Sequence, residues 1–287
     1  PETYANAPAP IAALFAIMTK VGAYAILRMD TLVFGPELTA TAELVGLTLL
    51  GAALLTLIVG MLGVLGADSL GRLAAFAAIG SMGTLLAALA IFSEQATAAA
   101  LYYLVHSTLA GAALFLVVDL VRARRGALSC RAVPGPKMAQ GGLVAALYFA
   151  VAIAVAGMPP LSGFIGKLLV LDAVWGTAHG TLIWVVILAT SLIAIVGLAQ
   201  AGSAVFWKPA PEGEDGFVAY ASPESAAQAM PPPVGVPVAV LGVVLAGIVA
   251  LTVFAAPVMS YLETTAAQLY APHAYIDAVM ARSREGS

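Results

Sequence analysis

Long apolar runs broken by short polar ones dominate this chain. A membrane-spanning helix needs ~20 mostly apolar residues, and the runs over 9–27, 45–67, 73–92, 96–118, 141–175, 181–207 and 234–258 meet that need. The pattern predicts an all-α polytopic membrane protein with about seven transmembrane helices, followed by an irregular interfacial tail over 259–287. The fifth run is too long for one straight span. It holds Gly157-Met158-Pro159-Pro160-Leu161-Ser162-Gly163, two residues without a backbone N–H flanked by flexible glycines, where regular helix fails. Non-helical backbone at membrane depth occurs where it is buried in protein or lines water, and discontinuous helices mark ion sites in many transporters. A simple proline kink, or a re-entrant turn between two short helices, is the plainer reading of the same residues.

Three titratable side chains interrupt the apolar runs at depth. Lys20 lies in the first, His106 in the fourth and Lys167 in the fifth. A charged residue at the bilayer centre costs at least ~2.5 kcal/mol and usually faces a polar cavity or a proton or ion path. Lys20 is eight residues from Arg28, about 12 Å at ~1.5 Å per residue, roughly double the reach of a lysine stem, which argues against snorkelling. Lys167 is five residues from Asp172, so an interfacial lysine stays open beside a functional one. Its place within two turns of the proline–glycine break favours function, since a break supplies water and unpaired backbone groups. His106, beside Ser107 and Thr108, is either satisfied locally or a proton relay, the task imidazole suits best near neutral pH. The three groups at similar depth outline a lateral proton wire through water.

Composition agrees with the pattern. Hydrophobic residues make up 62% and charged residues 9%, with mean hydropathy +1.01, whereas about a quarter of residues are charged in a soluble globular domain. A formal charge of −3, with the basic residues gathered in one loop, offers no footprint for nucleic acid. Cys130 is the single cysteine, which excludes an internal disulfide, a cysteine-ligated cluster and a cysteine-rich zinc site. No metal and no cofactor is expected. Arg122, Arg124, Arg125, Arg131 and Lys137 separate the fourth and fifth runs, and such loops face the cytoplasm; binding of lipid headgroups is a further use for them. The loop from Lys208 to Pro233 shares that side, and its Glu212, Glu214, Asp215 and Glu224 carry little weight in the rule. His179, in a short loop, and His273, in the tail, read as solvated.

The chain opens without methionine on a polar stretch and reads as the C-terminal part of a longer polypeptide. Pro1-Glu2-Thr3-Tyr4-Ala5-Asn6-Ala7-Pro8-Ala9-Pro10, Met18-Thr19-Lys20-Val21-Gly22-Ala23-Tyr24, Tyr103-Leu104-Val105-His106-Ser107-Thr108 and the segment from Gly157 to Lys167 resemble the antiporter-like membrane subunits shared by respiratory complex I and the Mrp-type cation/proton antiporters, the Mrp D subunits most of all. The resemblance covers nearly the whole chain and is most specific at the broken-helix motif.

That resemblance implies the second half of an inverted-repeat antiporter-like fold. Residues 1–30 would hold the last helix of the first repeat, 45–207 the second five-helix repeat with its broken helix at 157–163, 234–258 the final transmembrane helix, and 259–287 a non-cytoplasmic tail. Lys20, His106 and Lys167 match the proton-relay axis, and Gly157, Pro159, Pro160 and Gly163 the broken helix. The family's glutamate and the lysine of its first broken helix would lie upstream of Pro1, so residues 1–287 alone would lack a complete path. The function implied is that of a multi-pass inner-membrane subunit of a hetero-oligomeric sodium/proton antiporter, partnered by a large A subunit, membrane lipid, protons and monovalent cations, and not an enzyme. The alternative is a proton-pumping subunit of NADH–quinone oxidoreductase or a related membrane hydrogenase. The closest complex I relative often has glutamate where Lys167 stands, and no long lateral helix is expected after Val258. A non-transporting scaffold is the third reading.

Overall fold

The structure, a computed structural model, describes residues 1–34, 39–135, 138–208 and 235–271. Lys137, most of the acidic loop expected after Lys208, and His273 lie outside the described residues. A short helix α1 (Glu2–Asn6) precedes α2 (Ala9–Met29), which runs on into a π-helical turn (Asp30–Phe34). Then come α3 (Thr39–Leu65), α4 (Leu70–Leu89), α5 (Glu94–Arg122), α6 (Gly141–Ala156), α7 (Ser162–Ala173) and α8 (Gly180–Phe206). The last two described helices are α9 (Gly235–Val253) and α10 (Ala255–Tyr270). Among the described residues, six helices are long and apolar enough to cross a membrane: α2, α3, α4, α5, α8 and α9. The fifth apolar run is instead divided between α6 and α7.

Local chemistry sets the boundaries. Ser69 and Ser93 cap α4 and α5, their hydroxyls accepting the N–H of Arg72 at 3.4 Å and of Ala96 at 3.2 Å, donors that the first turn would otherwise leave unpaired. Pro8 and Pro10 bracket the start of α2, where a missing N–H costs nothing. Gly60 faces the backbone of Gly80 where α3 and α4 draw together, and Gly46 lies against Ala90 while Gly63 lies against Phe76. The pairing runs in opposite senses along the two helices, which are therefore antiparallel.

α5 is the axis of the bundle, touching α2, α4, α6, α7, α9 and α10. Its small residues permit that crowding: Ala96, Ala98, Ala99, Ala100, Ala110 and Ala113 are all buried. The helices at the periphery keep large apolar side chains on their outer faces, such as Leu14 and Val21 on α2 and Leu192 on α8.

The region after Val258, expected to be irregular, is helical as far as Tyr270. Pro257 cannot donate to the Val253 carbonyl, so α9 stops at Val253 and a new helix starts at Ala255. Leu262 and Ala266, one turn apart, are buried in α10. The Tyr270 hydroxyl stands 3.1 Å from Thr97 Oγ1 near the start of α5. Tyr102 donates to the Leu251 carbonyl at 2.9 Å close to the α9–α10 junction. The end of α9 and the end of α10 are thus tied to positions five residues apart on α5.

Candidate proton-relay site

The helix break organises the site. Gly157 takes a left-handed conformation (φ 75°, ψ 41°) just past the end of α6, which glycine adopts without the Cβ penalty. Pro159 and Pro160, joined by a cis peptide bond, carry no N–H to continue the ladder. The chain partly caps itself, since the N–H groups of Gly157 and Met158 return to the Ile153 carbonyl at 3.2 and 3.1 Å. The Gly157 N–H also reaches the Ala154 carbonyl at 3.1 Å, and the Ala156 carbonyl, which bears part of the negative charge of a helix C-terminus, is left for a side chain to use.

Lys167 and His106 converge on this break. Lys167 sits in the second turn of α7, 7% exposed. Its Nζ donates to Ala156 O at 2.7 Å and to Ser191 Oγ of α8 at 2.8 Å. The Ser191 hydroxyl itself donates to Ile187 O at 2.7 Å, which leaves its lone pairs for the lysine. His106, 2% exposed on α5, places Nδ1 2.8 Å from Ser162 Oγ at the start of α7. The break therefore brings the imidazole of α5 to the start of α7 and the amine of α7 onto the open end of α6.

Two glycines are needed for this approach. A Cβ on Gly157 would stand 2.8 Å from Cδ of Lys167, and one on Gly163 would strike Ala154 O and come within 2.8 Å of His106 Nε2. Beside the imidazole lies a cavity of about 20 Å³, lined in part by Ser81, Tyr103 and Ser107, room for about one water molecule.

Lys20 stands apart. It is buried, at 4% exposure, and its Nζ donates to Ala16 O of its own helix at 3.2 Å. It borders a groove of about 400 Å³ between α2 and α5, walled by Ile17, Val21, Leu101, Leu104 and Val105. The polar cavity expected beside this lysine is thus an apolar groove in the structure. His179 precedes α8 in the loop after α7, away from this cluster. Ser162 and Ser191 are the partners that sequence reasoning did not single out; the signal for Ser191 was its place beside Thr190, a polar pair in the middle of an apolar span.

Spans wrapped round one central helix, with a broken helix among them, define the antiporter-like class of polytopic membrane proteins. Solved structures share this fold. In the Mrp complex from Dietzia sp. DQ12-45-1b, one chain matches with a TM-score of 0.77 at 23% identity, over 96% of this chain and 56% of that one. In respiratory complex I from Thermus thermophilus the corresponding values are 0.69, 22%, 92% and 52%.

The chain belongs to the family described as NADH:quinone oxidoreductase/Mrp antiporter, TM, whose profile matches residues 1–194. It is 32% identical to the D subunit of a probable K(+)/H(+) antiporter of Rhizobium meliloti, over 100% of this chain and 56% of that protein. It is also 32% identical to the D subunit of the Na(+)/H(+) antiporter of Bacillus subtilis, over 72% of this chain and 41% of that protein. The chain thus spans about half the length of the curated relatives it matches.

Proposed function

We propose that this chain forms part of the D-type subunit of a multisubunit antiporter in the cell inner membrane that exchanges a monovalent cation, sodium foremost, for protons. In this reading it is a secondary transporter component and not an enzyme, it works beside a large A-type subunit, and Lys20, His106 and Lys167 hold protons along part of the path. The observation that carries the proposal is the convergence of His106 and Lys167 on the helix break between α6 and α7. Buried titratable groups that share one break, with hydroxyls between them and neighbouring helices, form a constellation able to take up and pass on a proton. The names of the relatives at 32% identity supply the cation side of the reading.

A second reading, a proton-pumping subunit of NADH–quinone oxidoreductase or a membrane hydrogenase, has the shared fold in its favour. Everted vesicles carrying the assembled complex separate the two. Under the antiporter reading, adding sodium or potassium to acidified vesicles collapses the pH gradient, and Lys167→Ala abolishes the response. Proton movement that follows NADH or another electron donor and ignores both cations would select the pump.

The repeat assignment carries a topology, with the loop of Arg122, Arg124, Arg125 and Arg131 in the cytoplasm and α10 on the opposite side. Single-cysteine labelling in a Cys130→Ser background checks it. A cysteine at Gly126 should resist an impermeant reagent in intact cells while one at Gln95 reacts, and the reverse pattern would overturn the orientation.

A further inference from the structure

At the arginine-rich end of the bundle, away from the helix break, lies a second polar feature. A pocket of about 480 Å³ opens between α1, the turn joining α3 to α4, the end of α5 and the loop through Ser129 and Arg131. Its volume falls within the range of small-molecule sites, roughly 300–1,000 Å³. Three guanidinium groups and two carboxylates line it: Arg72, Arg122 and Arg131 with Glu2 and Asp68.

The walls are held in place. Arg72 Nε lies 3.1 Å from Glu2, and its Nη1 lies 3.2 Å from Asp68. Arg122 Nη2 donates to the Ala5 carbonyl at 2.7 Å, tying α5 to α1. The loop is pinned to the start of α4 by Leu70 N–H to Cys130 O at 2.8 Å and Ala132 N–H to Asp68 O at 2.9 Å. Arg131 is exposed, and among the described residues no carboxylate forms an ion pair with it. The two carboxylates, which share Arg72, keep lone pairs to spare. The lining therefore carries unspent donors and unspent acceptors around one opening, with an excess of one positive charge.

Position narrows the ligand. α5 has 29 residues, about 43 Å at ~1.5 Å per residue, which overshoots a hydrocarbon core of ~30 Å and sets its terminal Arg122 among lipid headgroups. A simple anion entering the pocket meets two carboxylates, and a simple cation meets three guanidinium groups. A headgroup bearing both signs satisfies both walls. We propose that this pocket binds a zwitterionic aminophospholipid, with the phosphodiester on Arg122 and Arg131 and the primary ammonium on Glu2 and Asp68. Arginine suits the first contact through its planar donors, and the primary ammonium brings three donors to the second.

Native mass spectrometry of the purified assembled complex, exchanged into mixed micelles of phosphatidylethanolamine, phosphatidylglycerol and phosphatidylcholine, tests the proposal. The phosphatidylethanolamine adduct should exceed the other two by about 10-fold, the worth of one or two charged hydrogen bonds. Arg131→Gln, at an exposed position, should cut that adduct by about 5-fold with the thermal midpoint unchanged, and Asp68→Asn should erase the preference over phosphatidylglycerol. Arg122→Gln serves as a second variant if the first alters folding. Equal adducts of the three lipids, or an undiminished phosphatidylethanolamine adduct in Arg131→Gln, would overturn the assignment. Full displacement by free phosphoethanolamine at matched concentration would overturn it too, because the ligand would then be a soluble zwitterion.

Discussion

Lys167 and Lys20 are both buried lysines in apolar helices, yet the chain treats them differently. Lys167 has two acceptors from outside its own helix, the Ala156 carbonyl and the Ser191 hydroxyl. Lys20 has the Ala16 carbonyl one turn back on α2, an oxygen that helix hydrogen bonding already engages, and it borders an apolar groove. The difference traces to the backbone. An unbroken helix spends its carbonyls on its own N–H groups, whereas the end of α6 has carbonyls left over and a negative dipole end facing the amine. Breaking a helix thus offers a buried amine a main-chain acceptor that an intact helix does not. A lysine on an intact span must find its compensation elsewhere.

Transport should show the largest effects. In vesicles with the assembled complex, Lys167→Ala and Lys20→Ala should each reduce cation-dependent proton flux to background while the complex still assembles. Lys20→Arg should fail equally, because a guanidinium keeps its proton throughout the physiological range. Near-normal flux in Lys167→Ala would break the comparison by showing that the amine with two acceptors outside its own helix is dispensable.

Next in size is the backbone that makes the break. Gly157→Ala forces a Cβ into a left-handed position and against the Lys167 stem, and should lower stability by about 1–3 kcal/mol in thermal unfolding of the purified protein. An unchanged midpoint would mean that the left-handed turn is not required.

A paired substitution then sharpens the contrast between the two amines. Lys167→Met leaves Ala156 O and Ser191 Oγ without their donor, while Lys20→Met removes a charge with one weak acceptor. Lys20→Met should therefore be the more stable variant, by about 1–3 kcal/mol. Equal midpoints would show that the two amines are equally compensated. Smallest is Ser191→Ala, which removes one hydrogen bond from Lys167 and should cost about 1 kcal/mol and a few-fold in flux. A loss as large as that of Lys167→Ala would make the serine itself part of the relay.

Much of the architecture was legible because membrane helices obey a harsh rule: each span must satisfy its own backbone and turn apolar residues outward. Runs of ~20 apolar residues therefore announce themselves, and Gly157, Pro159 and Pro160 announce a break by removing donors from the ladder. α10 was not legible as a helix. Its composition is mixed, and the side of α5 that covers Leu262 and Ala266 is reached only after α9 has crossed the bundle. The site was legible in part: charge at depth singles out Lys20, Lys167 and His106, but Ser162 and Ser191 are ordinary residues until α5, α7 and α8 pack together.

Sequence by itself determined where most of the apolar helices lie, the position of the break and the placing of the three titratable groups within apolar helices, because each depends on local backbone chemistry and on the cost of burying charge. Tertiary structure alone decided which carbonyls those groups meet. A hydrogen bond of 2.7 Å from Lys167 to Ala156 spans a turn whose direction no local rule sets, and the Ser162–His106 contact joins residues 56 apart in the chain. Such pairings follow from how helices pack, and packing is a property of the whole bundle.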